Sequence, residues 1–157
     1  MYTSHLDLSE HVRRTSIAML QARLSDALDL EAQTKQAHWN VKGRNFIQLH
    51  EFFDSIHSHT EVFVDLLAER ITTLGGVADG RVQTTAKSSQ LYEYALETKD
   101  GGDHLKALAA ALAEFGKLVR GDIDASAEGG DADTSDIFTE ISRETDKQLW
   151  FVEAHLA

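Results

Sequence analysis

No residue in this 157-residue chain is a proline, and apolar residues recur at three- and four-residue spacing through four long stretches. Proline breaks helix interiors, and β-rich chains need many turn residues, so this pattern favours long α-helices. Hydrophobic residues make up 42% of the chain, which is enough to form a core without disulfides or structural metals. We therefore expect an all-α protein, with one domain over residues 1–157 that includes a short N-terminal tail.

Capping residues and glycines divide the chain into four predicted long helices. Short polar side chains favour the first position before a helix, and glycine favours the position after it. The residues predicted to cap the four helices are, in chain order, Ser9, Asn45, Asp103, and Asp133 or Thr134. The glycines predicted to end the first, second and third helices are Gly43, Gly75-Gly76 and Gly129-Gly130.

The connection between the second and third long helices is a polar stretch of some 25 residues, in which residues 89–96 are predicted to form one short helix. Short connections force neighbouring helices to run antiparallel, whereas a connection of this length can return the chain to its starting end. The expected fold is therefore a ferritin-like four-helix bundle, with a short helix in the long crossover between helices two and three.

The charge balance restricts the ligands that this chain can bind. It has 15 Lys and Arg against 26 Asp and Glu, so its net charge of -11 opposes binding to nucleic-acid phosphates and favours cations such as metal ions. The absence of cysteine excludes disulfides and thiolate metal sites. No signal-peptide core occurs in residues 1–14 and no window approaches ~18 consecutive apolar residues, so we expect a cytoplasmic protein without a membrane span.

The second predicted helix carries two pairs of residues that can bind metal. His50 and Asp54 are four residues apart, as are Asp65 and Glu69, so each pair lies on one helix face. The sequence has no Glu-x-x-His motif of the kind used by di-iron sites inside one bundle. About 16 Å of helical rise separates the two pairs, which is too far for both to bind one ion within a single chain.

A second copy of the chain removes this difficulty. If two copies of the second helix pack antiparallel about a two-fold axis near residues 59–60, the first pair of each copy lies opposite the second pair of the other. His38 joins this set, because it lies where the first helix ends. Imidazoles and carboxylates together suit iron or zinc. The alternative is that eight histidines and 26 acids form such pairs by chance.

The ordered pattern His-x11-His-x3-Asp-x10-Asp-x3-Glu resembles the signature of the Dps family of mini-ferritins, the DNA-binding proteins from starved cells. Residues 35–43, 45–46, 68–70, 74–76, 133–137 and 146–151 also resemble segments of that family. The resemblance implies a hollow dodecamer whose ferroxidase centres oxidise Fe(II) with hydrogen peroxide or oxygen and whose cavity stores ferric mineral. It also implies that the catalytic metal ligands from one subunit are His38, His50 and Asp54. Those from its partner would be Asp65 and Glu69.

In the implied chemistry, carboxylate and imidazole ligands have different roles. Carboxylates stabilise the higher charge of Fe(III), imidazoles hold Fe(II), and open coordination positions admit the oxidant. Zn2+ prefers the same ligands and is expected to compete for the site.

Further residues near these ligands have both a functional and a structural interpretation. Trp39 can quench a stray oxidising equivalent or simply pack, and Lys35 can support a carboxylate ligand or be solvated. His57 can extend the line of metal ligands or be a neutral interfacial histidine. Glu51 can face the cavity and help nucleate mineral.

The resemblance also suggests roles for residues outside this helix. Asp131 and Asp136 resemble the acids that line the three-fold pores through which Fe(II) enters, although carboxylates also favour helix starts. His5 and His11 can bind a further divalent metal or be mobile surface groups, and the role of His59 stays open.

The main alternative function is that of a nucleoid protein that binds and protects DNA. Residues 1–8 contain no Lys or Arg, so the tail lacks the basic charge that drives binding to phosphates. We therefore expect DNA binding to be weak or absent at neutral pH, with mild acid as the exception because His5 and His11 can then become charged.

Overall fold

The computed structural model describes all residues from 1 to 157 and contains five α-helices and no strand. The helices are α1 (Glu10–Asn40), α2 (Phe46–Thr73), α3 (Val82–Ser88), α4 (Gly101–Glu128) and α5 (Ala132–Ala154). The prediction of an all-α fold with four long helices is confirmed. No helix combines the length and the apolar character needed to cross a membrane.

The four long helices share one apolar core. Its 22 buried side chains come mainly from the apolar faces of α1, α2, α4 and α5, and they form one continuous cluster. Burial on this scale is the main favourable contribution to folding, at roughly 25 cal/mol for each Å² of apolar surface removed from water. Packing of the apolar faces fixes the helices relative to one another. It therefore also fixes the functional side chains, which lie at the edges and ends of these helices.

Two of the predicted helix starts are confirmed and two are wrong. Ser9 caps α1 by accepting a hydrogen bond from the Val12 N–H, and Asn45 occupies the N-cap of α2. Helix α4 begins after Asp100 rather than Asp103, because the Asp100 carboxylate accepts from the Gly102 N–H at 2.8 Å. The last helix is capped by Asp131, two or three residues before the predicted Asp133 or Thr134, because the Asp131 side chain accepts from the Thr134 N–H.

The short crossover helix is present, but it lies at Val82–Ser88 rather than at residues 89–96. Residues 89–96 are not helical, because side chains of α1 and α4 bind their polar groups. The Gln90 N–H donates to Asp26 at 2.7 Å, and the Tyr92 carbonyl accepts from Gln33 at 2.9 Å. These hydrogen bonds hold the second half of the crossover against the bundle.

Candidate metal centre

His38 and His50 face each other where α1 ends and α2 begins. The His38 Nδ1 lies 2.7 Å from the His50 main-chain oxygen, and the His50 Nδ1 lies 2.8 Å from the His38 main-chain oxygen. The two rings stack with their centroids 3.7 Å apart. A carbonyl oxygen can only accept a hydrogen bond, so each Nδ1 carries a proton, and in the neutral imidazole each Nε2 then keeps a lone pair. The pair therefore presents two nitrogen atoms that can bind a metal.

Asp54 lies one turn along α2, beside this histidine pair. Its Oδ1 atom is 4.0 Å from the His38 Nδ1 and is contacted by the Lys35 ammonium group. The hydrogen bond and positive charge of Lys35 lower the pKa of the Asp54 carboxyl. Asp54 is therefore a carboxylate at neutral pH. Lys35 contacts it, and the role of this lysine as support for a metal ligand stays a prediction.

Asp65 and Glu69 lie further along α2, and both are exposed. The side chains of these two acids take part in none of the ion pairs and hydrogen bonds within the chain. No three His, Cys, Asp or Glu side chains of one chain converge in a way that can hold a metal ion. The chain thus carries the five predicted ligands in two separate places, one organised by internal contacts and one open to solvent.

Comparison with known proteins decides the family. A model of the ferritin-like domain matches residues 17–157. The DNA protection during starvation protein of Agrobacterium fabrum is 41% identical over 150 residues, which cover 96% of this chain and 93% of that protein. The protein of that name from Mycolicibacterium smegmatis is 34% identical over 138 residues, covering 88% of this chain and 75% of that protein. The chain belongs to the Dps family of ferritin-like proteins.

Solved structures agree with this membership. A tetragonal form of Dps from Mycobacterium smegmatis superposes with a TM-score of 0.94 at 31% identity, over 99% of this chain and 94% of that one. Dps from Vibrio cholerae O1, described as a member of a broad superfamily of ferritin-like diiron-carboxylate proteins, gives a TM-score of 0.92 at 26% identity, over 100% and 98% of the two chains. The predicted ferritin-like bundle and the Dps resemblance are both confirmed.

Trp39 and Glu51 lie next to the predicted ligands of this Dps chain and point outward. Trp39 is in the last turn of α1 and is 67% exposed, so packing inside the chain does not explain it. Glu51 is also exposed. Their suggested roles, quenching and mineral nucleation, stay predictions.

The other histidines differ in how firmly the chain holds them. His57 is half-buried and lies against Glu31 of α1, while the His59 Nε2 lies 3.5 Å from the Glu144 Oε1 on α5. His5 and His11 are exposed near the N-terminus. The structure gives His57 a partner that the sequence interpretation did not consider.

Asp131 is held inside the chain by hydrogen bonds and by an ion pair. Its side chain is buried, and it accepts hydrogen bonds from the Thr134 N–H at 3.1 Å and the Thr134 hydroxyl at 2.7 Å. Arg70 donates to its Oδ1 at 2.6 Å. Burial alone would raise the pKa of Asp131, but hydrogen bonds from Thr134 and Ser16 and the charge of Arg70 lower it. These contacts give Asp131 a role inside the chain as the cap of α5, and the pore roles of Asp131 and the exposed Asp136 stay predictions.

Two residues in this region were missed by the sequence interpretation. Arg70 anchors Asp131 across 61 residues of sequence, a contact that no local pattern predicts. Glu31 lies on the same face of α1 as Lys35 and His38, at four- and three-residue spacing. That spacing is the signal by which Glu31 could have been found.

Proposed function

We propose that this protein stores and detoxifies iron by oxidising Fe(II) at sites shared between two copies of the chain. The observation that carries the proposal is the reciprocal His38 and His50 pair, whose Nδ1 atoms are taken up by hydrogen bonds, with the ionised Asp54 one turn along α2. Asp65 and Glu69 of the partner subunit would complete each site. Membership of a ferritin-like family supports iron handling in general.

Fe(II) is the substrate, and hydrogen peroxide is the preferred oxidant in this proposal, with oxygen as the alternative. Two Fe(II) ions each lose one electron, the O–O bond of one peroxide molecule breaks, and the two electrons convert it to two hydroxide ions. This stoichiometry consumes iron and peroxide together without releasing a hydroxyl radical. The carboxylates favour the Fe(III) product, because they offset its additional positive charge. Zn2+ would compete for the same nitrogen and oxygen atoms.

The charge of Lys35 has a direct consequence for this chemistry. Its ammonium group contacts the Oδ1 atom of Asp54, on the carboxylate that an arriving cation would also use. Two positive charges at one carboxylate repel each other, so metal binding favours movement of Lys35 away from Asp54. We infer that Lys35 keeps the half-site neutral before iron arrives and limits its affinity for iron.

A homo-oligomer, and specifically a hollow dodecamer that encloses the mineral, is part of the proposal. Several large apolar side chains at the end of α1 and along α2 are exposed, and they lie on both sides of the predicted two-fold axis. They are Trp39 at 67%, Phe46 at 44%, Ile47 at 53% and Val62 at 54%. Exposed large apolar side chains of this kind are typical of a surface that binds a second protein chain.

DNA binding is the second candidate function, since the relatives are named for DNA protection. Residues 1–8 contain no Lys or Arg. The start of the tail also lies against the end of α2, where the Tyr2 N–H donates to the Gly75 carbonyl at 3.0 Å and the Tyr2 hydroxyl donates to the Thr72 carbonyl at 2.9 Å. We propose that DNA binding is weak or absent at neutral pH.

The activity is tested by mixing Fe(II) with the purified protein without air and adding peroxide or oxygen separately. Fe(III) formation is followed by its near-ultraviolet absorbance. We expect rapid oxidation with two Fe(II) consumed for each peroxide, and slower oxidation with oxygen. Oxidation no faster than in protein-free buffer with both oxidants would contradict the proposed function.

A further inference from the structure

The antiparallel pairing of α1 and α2 places polar side chains opposite one another in three successive pairs. The pairs, from the loop between the helices inward, are His38 with His50, Lys35 with Asp54, and Glu31 with His57. The first two belong to the proposed iron site. The third pair has no part in that chemistry and lies within one chain.

The contacts of His57 determine which of its nitrogen atoms can bind a metal. Its Nδ1 lies 3.4 Å from the Glu31 main-chain oxygen, and its Nε2 lies 3.7 Å from the Glu31 Oε1. The carbonyl and the carboxylate can each only accept a hydrogen bond, so a neutral imidazole carries its one proton beside one of them. With that proton on Nδ1, beside the nearer carbonyl oxygen, Nε2 keeps a lone pair. That lone pair then faces a carboxylate oxygen, with no hydrogen atom between the two.

The 3.7 Å separation suits two ligands of one metal ion. Bonds of about 2.0 to 2.2 Å that meet at angles between tetrahedral and about 120° place their donor atoms roughly 3.3 to 3.8 Å apart. Both side chains are mostly buried, at 19% exposed for His57 and 24% for Glu31, so the chain already restricts their orientation.

The charge of Glu31 is also available to a cation. Glu31 forms no ion pair with a lysine or arginine, and Lys35, one turn along α1, is bound to Asp54. The comparable pair of His59 and Glu144 differs in this respect. The Glu144 Oε1 accepts from the Gln148 amide at 2.7 Å and lies 3.3 Å from the Lys147 ammonium.

We propose that Glu31 and His57 form an additional site for a divalent cation of the Zn2+ or Fe2+ class, with water molecules completing the coordination. The site needs only one chain, and binding there does not depend on iron oxidation. In the oligomer proposed above it would lie between the iron site and the two-fold axis. A protonated His57 paired with Glu31 and no metal is the competing interpretation.

Zn2+ soaked into crystals of the full chain is the direct probe. Diffraction data collected on either side of the zinc absorption edge should show an anomalous peak within about 2.3 Å of both the His57 Nε2 and a Glu31 carboxylate oxygen. A map with zinc at His38 and His50 but none at His57 overturns the proposal.

Calorimetric titration with Zn2+ gives an independent readout. In a chain carrying Asp65→Asn and Glu69→Gln, which removes half of the proposed iron site, adding either His57→Gln or Glu31→Gln should remove one Zn2+ equivalent or weaken it at least tenfold. A chain that carries both His57→Gln and Glu31→Gln in this background should lose no more Zn2+ binding than either change alone. His59→Gln is the matched control and should leave the titration unchanged.

The remaining outcomes are also decisive. Full Zn2+ binding in the Glu31→Gln chain, or a loss in His59→Gln but not in His57→Gln, overturns the assignment. Thermal melting confirms that each variant is folded. If a glutamine variant does not fold, the anomalous map of the unmodified chain still decides. Because Zn2+ is not oxidised, failure of the iron oxidation assay leaves this test intact.

Discussion

The two ends of α2 carry the two halves of the proposed iron site, and the chain holds them in different ways. At the N-terminal end, His50 exchanges hydrogen bonds with His38, and Asp54 is held by Lys35. Near the C-terminal end, Asp65 and Glu69 are exposed and have no side-chain partner. The two histidines are already oriented by their hydrogen bonds, whereas the two acids have no partner within the chain to orient them. This difference is what a site shared between two copies requires.

The largest expected effect comes from removing one of the free acids. Glu69→Gln keeps the size of the side chain but removes its charge. Loss of groups that merely orient metal ligands costs 10- to 100-fold, so loss of a ligand should slow Fe(II) oxidation by about 100-fold or more. Stopped-flow absorbance after peroxide addition measures this. Glu61→Gln, an exposed acid on the same helix, is the control and should react at the normal rate.

The second prediction compares the stability effects of changing two parts of the C-terminal end of α2. Glu69 is free there, whereas its neighbour Arg70 binds the buried Asp131. Asp131→Ala removes the cap of α5 and leaves the mostly buried Arg70 with only the exposed Asp133, at 3.7 Å, so the free energy of unfolding should fall by about 3 to 5 kcal/mol. Urea unfolding followed by circular dichroism measures the change. Glu69→Gln should leave stability within about 0.5 kcal/mol. Equal losses in the two variants would remove the distinction between a bound and a free end of α2.

The same ion pair predicts how stability depends on pH. The pKa of Asp131 is lowered in the folded chain, so its contribution is fully present above the pKa of the unfolded state, near ~3.9. That contribution is lost as pH falls toward the folded-state pKa. The stability difference between the original chain and Asp131→Asn should therefore shrink as pH falls from about 5 to 3. If the stability difference between these two chains does not change across that pH range, the negative charge of Asp131 is not the source of its contribution.

A smaller effect is expected at the organised end. Lys35→Met removes the ammonium group from Asp54, so Zn2+ should bind the half-site about tenfold more tightly, which corresponds to ~1.4 kcal/mol. Calorimetry in the Asp65→Asn and Glu69→Gln background isolates this half. Lys117→Gln, a surface lysine paired with Glu114 at 3.0 Å, should change nothing. Weaker Zn2+ binding in Lys35→Met would mean that the lysine helps to hold the metal ligand rather than competing with the metal.

The smallest expected effect concerns DNA. A gel-shift titration at pH 8 and physiological salt should show no retention, because a net charge of -11 and a tail without Lys or Arg oppose contact with phosphates. The same titration at pH 5.5 tests whether charging of His5 and His11 adds weak binding. Tight retention at pH 8 would reveal a basic surface, formed by the fold, that the linear sequence does not display.

Local patterns in the sequence predicted the four long helices and most of their limits, because apolar spacing and capping act over a few residues. Contacts between distant segments account for the errors. Residues 89–96 have the spacing of a helix, but Asp26 and Gln33 of α1 hold them in another conformation. The burial of Asp131 depends on Arg70, which lies 61 residues away in the sequence, so no local pattern predicts it. The spacing on α2 predicted two separate ligand pairs, whereas the reciprocal hydrogen bonds of His38 and His50 become visible only in three dimensions.

Complementation between two inactive variants tests the shared site most directly. His50→Ala and Glu69→Ala chains are each expected to be inactive, because every site of either homo-oligomer lacks one ligand. After dissociation, mixing in equal amounts and reassembly, half of the two-fold pairs contain one chain of each kind and have one intact site. About a quarter of all sites should therefore be active. His50→Ala mixed with Asp54→Ala, two defects in the same half, should recover nothing. Recovery near one quarter only in the first mixture is the predicted result, and no recovery in verified mixed assemblies would contradict a site shared between chains.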